Sequence, residues 1–145
     1  MTAINKNLLA REQEAVKKAL KGFYQAVEQM VEGNPEPLYS VWSHSEDAIN
    51  MGPFDQCIKG WSAIRQEINR LSKMKMGGGQ PFKRSEPELI IGNELAVSYG
   101  FLTGKVKDPQ GKLHPIKHRE SIVFSKEGEE WKIIGLHIDR FPFEG

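Results

Sequence analysis

Three side chains near the end of the sequence combine a permanent positive charge, an imidazole and a carboxylate, namely Arg119, His137 and Asp139. Arg119 could bind a carboxylate, a phenolate or a developing oxyanion, because its guanidinium stays charged and carries several N–H donors. His137, oriented by Asp139, could move a proton near neutral pH. The alternative is structural: Arg119 and Asp139 would form a buried ion pair, with His137 bonded to the backbone.

The turn of the last hairpin decides which of these side chains meet. Glu127 is poorly suited to a left-handed conformation, so we expect a three-residue turn in which only Gly128 is left-handed. Ser125 then pairs with Glu129. Every pairing further along the two strands follows from this register.

In that register Arg119 lies opposite Gly135, whose missing side chain leaves room for the guanidinium. Alternate residues of a strand share one face of the sheet. We therefore expect Arg119, Ser121, His137 and Asp139 to converge at one end of a pocket.

Histidine spacing raises the question of a metal, because His114 and His118 share a strand face and could join a carboxylate in a metal site. The expected register puts His137 on the other face, so we predict no metal and no cofactor. A turn shifted by one residue would bring His118 opposite His137. The sequence thus leaves open whether His118 or Arg119 faces the pocket.

The elements that position these residues fall into two halves. Apolar residues recur at spacings of three and four over residues 8–32, which predicts a long amphipathic helix. The string Gly33-Asn34-Pro35 ends it and starts a short second helix. A third helix runs from Gly60 to the glycines at 77–79.

The second half has the period and turn chemistry of strands. Long strands are expected at residues 81–91, 95–106, 114–125 and 131–141, with short ones at 48–52 and near 57–59. Short turns imply consecutive antiparallel pairing, so the C-terminal half is a meander. Helices followed by a curved antiparallel sheet define an α+β domain with its helices on one sheet face.

Composition limits the function classes. The 145 residues are 39% hydrophobic and 27% charged, with a net charge of +1. We expect one domain over residues 1–145, with 1–7 as a loose tail. Interspersed charges argue against a nucleic-acid partner, and no apolar run suits a membrane. One cysteine, Cys57, and no apolar signal at the start favour the cytoplasm.

Several strings then resemble the nuclear transport factor 2-like superfamily, in its SnoaL-like and ketosteroid-isomerase-like branches. They are Asp47-Ala48 through Gly52-Pro53, the helix start Gly60-Trp61-Ser62-Ala63-Ile64-Arg65, the pair Arg119-x-Ser121, and Trp131-Lys132-Ile133-Ile134 before His137-x-Asp139. The resemblance covers nearly the whole chain. It implies a cone-shaped fold, whose sheet wraps around the long helix to leave a pocket, and a homodimer.

Aromatic side chains are interpreted as core or pocket wall, because no basic groove accompanies them as in a nucleic-acid surface. The resemblance implies that Tyr99 or Phe101 points into the cavity and that Met51 and Phe54 lie at its mouth. The expected apolar contacts of a ligand are Phe23, Trp42, Met51, Phe54, Trp61, Tyr99 and Phe101.

Two activities of the superfamily lack their pattern in this sequence. Steroid isomerases have an Asp before the proline of the first short strand, where this chain has Gly52 before Pro53. The epoxide-hydrolase pattern of two carboxylates bridged by an arginine is incomplete, since only Asp139 is placed beside Arg119.

Two hypotheses follow, because one fold serves many functions. The first is a binding protein whose pocket takes a partly apolar small molecule with an anionic or polar end. The second is a cofactor-independent lyase, isomerase or cyclase with His137 and Asp139 as the catalytic pair. In either case, we expect a homodimer through the convex sheet face, where Ile134, Leu136 and Ile138 would form an apolar patch.

Overall fold

The computed structural model of the protein describes residues 6–140. Its helices are α1 (Lys6–Val31), α2 (Glu36–Val41) and α3 (Trp61–Lys73). Its strands are β1 (Ile49–Met51), β2 (Ile58–Lys59), β3 (Lys83–Arg84), β4 (Glu88–Ile91), β5 (Leu95–Lys107), β6 (Leu113–Glu127) and β7 (Glu130–Arg140). The α+β class and the order of elements are as predicted.

Helix α1 forms one wall of the core, because its apolar stripe faces the sheet. Its buried apolar residues are Val16, Leu20, Phe23, Ala26, Met30 and Val31. Gly33 follows the helix with a φ of 109°, a conformation that glycine adopts without strain. Residues 6 and 7 of the expected loose tail are helical, whereas 1–5 lie outside the described residues.

The sheet is curved, unclosed and mixed, with strand order β2-β1-β7-β6-β5-β3 and β4 also paired with β5. Strands β4 to β7 form the predicted antiparallel meander. Strand β1 pairs with β7 in parallel, so Met51 lies beside His137 at the end of that pairing. The sheet wraps around α1 and leaves one face concave.

The expected long strand at 81–91 is instead two short strands, β3 and β4. Pro87 has no N–H and disfavours extension of regular pairing through residue 86. Ser85 continues the contact with β5 in another way, because its Oγ accepts the N–H of Phe101 at 2.9 Å. The predicted end of the last strand at Phe141 lies outside the described residues.

The register of the β6–β7 hairpin differs from the predicted one. Glu127 pairs with Glu130, so the turn has two residues rather than three. Gly128 is left-handed, with φ 64°, and a positive φ at the first central position alone is typical of a type II′ turn. The expected pairing of Ser125 with Glu129 is therefore wrong.

A β-bulge in the same hairpin shifts the register again. Phe124 pairs with Ile133 but Val123 pairs with Gly135, which leaves Ile134 as the extra residue. Beyond the bulge, Arg119 lies opposite Asp139, not Gly135. The bulge therefore brings the expected ion pair into direct cross-strand register.

Burial identifies the concave face. On β6 the inward residues are His118, Glu120, Ile122 and Phe124, and each is buried. Leu136 and Ile138 of β7 also turn inward and line the cavity. The expected convex patch of Ile134, Leu136 and Ile138 is therefore wrong. None of the described helices has the length and apolar character needed to cross a membrane.

Candidate functional site

A cavity of about 110 Å³ lies between α1, α2, α3 and the concave sheet face. Most of its wall is apolar. The apolar lining comprises Phe23, Val27, Met30, Val31, Leu38, Trp42, Ile68, Leu71, Met76, Phe82, Leu102, Val106, Ile116, Leu136 and Ile138. Four polar side chains interrupt it, namely Asn50, Gln56, His118 and Glu120.

Glu120 is the principal ionisable group of this cavity. It is 6% exposed, and burial raises its pKa to about 7, with the positive charge of Arg84 opposing the rise. A carboxyl that titrates near neutral pH can both accept and donate a proton under working conditions. At the ordinary pKa of a glutamate the group would be fully ionised at neutral pH and could act only as a base.

His118 lies two residues before Glu120 on the same face of β6 and is 8% exposed. Burial, together with the positive charge of Arg140, lowers the pKa of His118 to about 4. The imidazole is therefore neutral at pH 7 and offers one N–H donor and one acceptor. The two neighbouring groups thus have different proton-transfer roles available to them.

A buried cation lies behind Glu120. The guanidinium of Arg84 stacks on the ring of Tyr24, with Cζ 3.6 Å from the ring centroid, and its Nη1 is 3.7 Å from Oε1 of Glu28. Burial and the charge of Glu120 raise the pKa of Tyr24 to about 12, whereas Arg84 opposes this. Helix α1 and strand β3 together supply the charged surroundings of the cavity carboxyl.

The segment after β1 covers one side of the cavity. Gly52, Pro53, Phe54 and Gln56 all line it. The Gln56 side chain accepts the N–H of Phe54 at 2.8 Å and donates to Glu67 of α3 at 3.0 Å. A Cβ on Gly52 would lie 2.7 Å from Oε1 of Gln56, so a larger residue here would require the Gln56 side chain to move.

The buried Asn50 also faces the cavity, from strand β1. Its Oδ1 has no hydrogen-bond partner within residues 6–140. A buried amide oxygen without a partner costs free energy, on the order of 1–3 kcal/mol. A ligand with a hydrogen-bond donor would satisfy it.

The predicted cluster does assemble, but on the convex face. Nη2 of Arg119 lies 2.8 Å from Oδ2 of Asp139, and Nε2 of His137 lies 3.1 Å from Oδ1 of the same carboxylate. These side chains and Ser121 line an open groove of about 540 Å³. The expectation that they point into the cone is wrong, because that side of the strand faces away from α1.

The predicted apolar contacts divide among several places. Phe23, Trp42 and Phe54 line the cavity. Tyr99 and Phe101, each 46% exposed, line the convex groove, so the expectation that either points into the cavity is wrong.

Two further predicted contacts line neither the cavity nor this groove. Met51 is 38% exposed at the end of β1. Trp61 stacks on His44 with ring centroids 4.1 Å apart and packs edge-on against Tyr39. Its indole therefore joins α2 to the start of α3.

Sequence reasoning missed Glu120 and Asn50 and left His118 as an alternative. One signal was available in β6. Residues 116, 122 and 124 are apolar, whereas 117, 119, 121 and 125 are polar, so the even-numbered side chains belong to the core face. Polar residues on that face, His118 and Glu120, are the ones that a cavity would contain.

Metal-binding chemistry finds little support in this part of the chain. Within residues 6–140 no three His, Cys, Asp or Glu side chains are placed to hold an ion together. His114 lies at an exposed end of β6, and its Nε2 is 2.7 Å from Oδ2 of Asp108. It therefore does not join His118 in one site.

Comparisons with known proteins agree with the observed fold. The SnoaL-like domain family matches residues 16–143. A ketosteroid isomerase-like protein from Erwinia carotovora is similar in structure, with TM-score 0.75, 13% identity, 97% of this chain and 100% of that chain covered.

Two more solved structures share the fold. A nuclear transport factor 2-like superfamily protein from Salmonella enterica has TM-score 0.68 and 15% identity, covering 90% of this chain and 96% of that one. A Caulobacter vibrioides protein with a cystatin-like fold has TM-score 0.71 and 14% identity, covering 90% and 89%. No match was found among curated proteins.

Proposed function

The chain belongs to the SnoaL-like domain family, and on that basis we propose that it binds a small, largely apolar molecule with a neutral polar end in the cavity lined by Glu120. The observation that carries the proposal is Glu120, a buried carboxyl in a mostly apolar wall. A volume of about 110 Å³ is closer to the ~150 Å³ that holds benzene than to the ~300–1,000 Å³ of drug-sized ligands. The ligand is therefore a single small ring or a branched chain.

The polar end of the ligand is a hydroxyl or carbonyl rather than an anion. Within residues 6–140 no arginine or lysine lines this cavity, and Glu120 would repel an anion once ionised. Asn50 and His118 supply an acceptor and a neutral imidazole. The anionic preference expected from Arg119 stays a prediction, now for the convex groove that Arg119 lines.

Binding of three ring probes tests this assignment. Ligand-observed fluorine NMR with fluorobenzene, 4-fluorophenol and 4-fluorobenzoate compares apolar, neutral polar and anionic ends. We expect 4-fluorophenol to bind most tightly. Leu102→Trp should abolish binding by filling the cavity, whereas Thr103→Trp, on the adjacent outward-facing position, should not.

Two results would contradict ligand binding in the cavity. Equal binding by the Leu102→Trp and Thr103→Trp variants would show that the probe sits elsewhere. A preference for 4-fluorobenzoate that disappears in Arg119→Met would move the site to the convex groove and restore the anionic ligand.

The second candidate function is a cofactor-independent lyase, isomerase or cyclase. It is favoured by the position of Glu120, a carboxyl buried in the cavity wall two residues from the buried His118. Burial raises the pKa of Glu120 to about 7 and lowers that of His118 to about 4. In this candidate Glu120 takes a proton from carbon and returns it to another atom. The pair His137 and Asp139 stays a prediction as an alternative catalytic pair, located in the convex groove.

Hydrogen exchange separates the two catalytic assignments. Cyclohexanone in D₂O exchanges its α-protons when a base acts on it, which NMR follows directly. We expect wild-type protein to accelerate exchange, Glu120→Gln to remove the acceleration and His137→Gln to retain it. Loss of exchange in His137→Gln alone would assign the chemistry to the convex groove.

We also propose a homodimer through the convex sheet face, formed by residues different from the expected patch. Large apolar side chains are exposed there on β1 and β5, namely Ile49, Met51, Tyr99 and Phe101. Arg119 and Asp139, which form an ion pair, lie among them. A two-fold contact would cover this face, because it brings the same patch of two copies together.

Our proposals about other partners and about the cellular compartment rest on the amino-acid composition. Lysine, arginine, aspartate and glutamate are interspersed at a net charge of +1, so we propose neither a nucleic-acid nor a membrane partner. Cys57 is a free, exposed thiol, which favours a reducing compartment such as the cytoplasm.

A further inference from the structure

Arg84 is a buried cation whose hydrogen bonding is incomplete. Its side chain is 8% exposed, and within residues 6–140 its Nε and Nη2 have no hydrogen-bond partner. The guanidinium is held by its stack on Tyr24 at 3.6 Å and by Glu28, whose Oε1 is 3.7 Å from Nη1. Cation–π stacking fixes the position of the charge without neutralising it.

The strand register aligns this cation with the cavity carboxyl. Arg84 pairs with Leu102, and the next inward position on β5 is Gly100, which pairs with Glu120. Gly100 adds no side chain between them. The attraction is mutual, because Arg84 counters the effect of burial on the pKa of Glu120 and Glu120 does the same for Arg84.

The other charged and titratable groups around Glu120 act differently. Tyr24 and Glu28 of α1 contact the guanidinium of Arg84, and Tyr24 stays protonated because its pKa is raised to about 12. His118, on the same strand, is neutral at pH 7. Arg140 of β7 acts on His118, so within residues 6–140 Arg84 is the cation that acts on Glu120.

We propose that Arg84 is a positioning residue for the cavity carboxyl, in that its guanidinium, held on the ring of Tyr24, attracts Glu120 across β5 and favours the ionised form. The inference rests on the proposed function, since it explains how a base buried among apolar groups stays usable. It does not require Arg84 to touch the ligand. The neutral buried alternative, a glutamic acid that never ionises, could bind a ligand but could not accept a proton.

Carbon-13 NMR of labelled glutamate carboxyls tests the proposal on the protein without ligand. The Glu120 signal is assigned by its absence in Glu120→Gln. We expect its midpoint near pH 7 in the wild type and at least about one pH unit higher in Arg84→Met, which keeps the bulk and removes the charge. Arg84→Lys should restore much of the shift.

Arg140→Gln is the matched control, because it removes a positive charge that acts on His118 and not on Glu120. Arg140→Gln should raise the titration midpoint of the His118 imidazole and leave that of Glu120 unchanged. Arg84→Met should raise the midpoint of Glu120 and leave that of His118 unchanged. If Arg84 were merely structural, Arg84→Met would lower the melting temperature without shifting the Glu120 midpoint separately from that of His118. If Arg84→Met does not fold, Arg84→Gln supplies the neutral variant with two amide donors.

The outcomes distinguish the inference from the proposed function. A Glu120 midpoint that moves by less than about 0.3 pH unit in the neutral Arg84 variants would overturn the positioning role. A clear shift in a protein that binds none of the ring probes would support that role and contradict the proposed function. Equal shifts of Glu120 and His118 in every variant would show a general loss of structure and overturn the inference.

Discussion

Glu120 and His118 lie two residues apart on the concave face of β6 and line the same cavity, yet burial moves their pKa values in opposite directions. Burial disfavours the charged form of either group, so the acid becomes harder to ionise and the base harder to protonate. Near pH 5.5 both side chains are therefore neutral in the folded protein. Both are charged in the unfolded chain.

This opposition predicts the pH dependence of stability for Glu120→Gln. Folded Glu120 retains its proton up to about pH 7, whereas the unfolded residue loses it near 4.5, so the wild type loses up to about 3 kcal/mol as pH rises between these values. The variant has no such loss. Urea unfolding should show Glu120→Gln more stable than wild type at pH 8 and nearly equal at pH 4.

His118→Gln should show the opposite trend. Folded His118 stays neutral down to about pH 4, whereas the unfolded residue gains a proton near 6.5, so stability falls as pH falls through this range. The variant should lose this dependence and gain relative stability at pH 4.5. In the wild type the two slopes oppose each other between about 4.5 and 6.5, and a steep slope there would contradict the assignment.

A second buried carboxylate is structural. Glu12 of α1 accepts the indole N–H of Trp131 and the ammonium of Lys126, each at 3.1 Å. Glu12→Ala would leave the buried Trp131 donor without its acceptor, and we expect a loss of about 2–3 kcal/mol in unfolding free energy. Glu14→Ala, whose side chain is 78% exposed, should change it by less than about 0.5 kcal/mol.

Association through the convex face predicts different effects for two apolar-to-acid substitutions. Phe101→Asp changes an exposed side chain of that face, so light scattering should show a monomer that keeps its melting temperature and cavity binding. Leu136→Asp buries a carboxyl in the cavity wall and should cost about 3 kcal/mol or more. A wild type that scatters as a monomer at tens of micromolar would contradict the dimer.

The exposed pair of Arg119 and Asp139 should contribute little to stability in the monomer. Their side chains are 58% and 42% exposed, so solvent and salt screen the attraction. We expect Arg119→Met to change the unfolding free energy by less than about 1 kcal/mol at low salt, and by a smaller amount still in 1 M salt. A larger loss in a monomer would show that the structural alternative holds.

Much of the fold is determined locally, which is why the sequence predicted it. The spacing of Val16, Leu20 and Phe23 specifies one apolar helix face, and the turn at Gly33-Asn34-Pro35 ends that helix. Alternation and short turns specify the meander. The predicted hairpin register was four residues off at Arg119, an even number, and so Arg119, His137 and Asp139 still share a face.

Only the tertiary structure decided which face of that hairpin is concave. Alternation pairs residues on a face but does not say which face α1 covers, so the predicted register alone placed Arg119 on the wrong side. Packing against α1 buries Ile122 and Phe124, which carries His118 and Glu120 inward with them. The bulge at Ile134 and the placement of Arg84 behind Glu120 depend on contacts between distant parts of the chain, which no local pattern encodes.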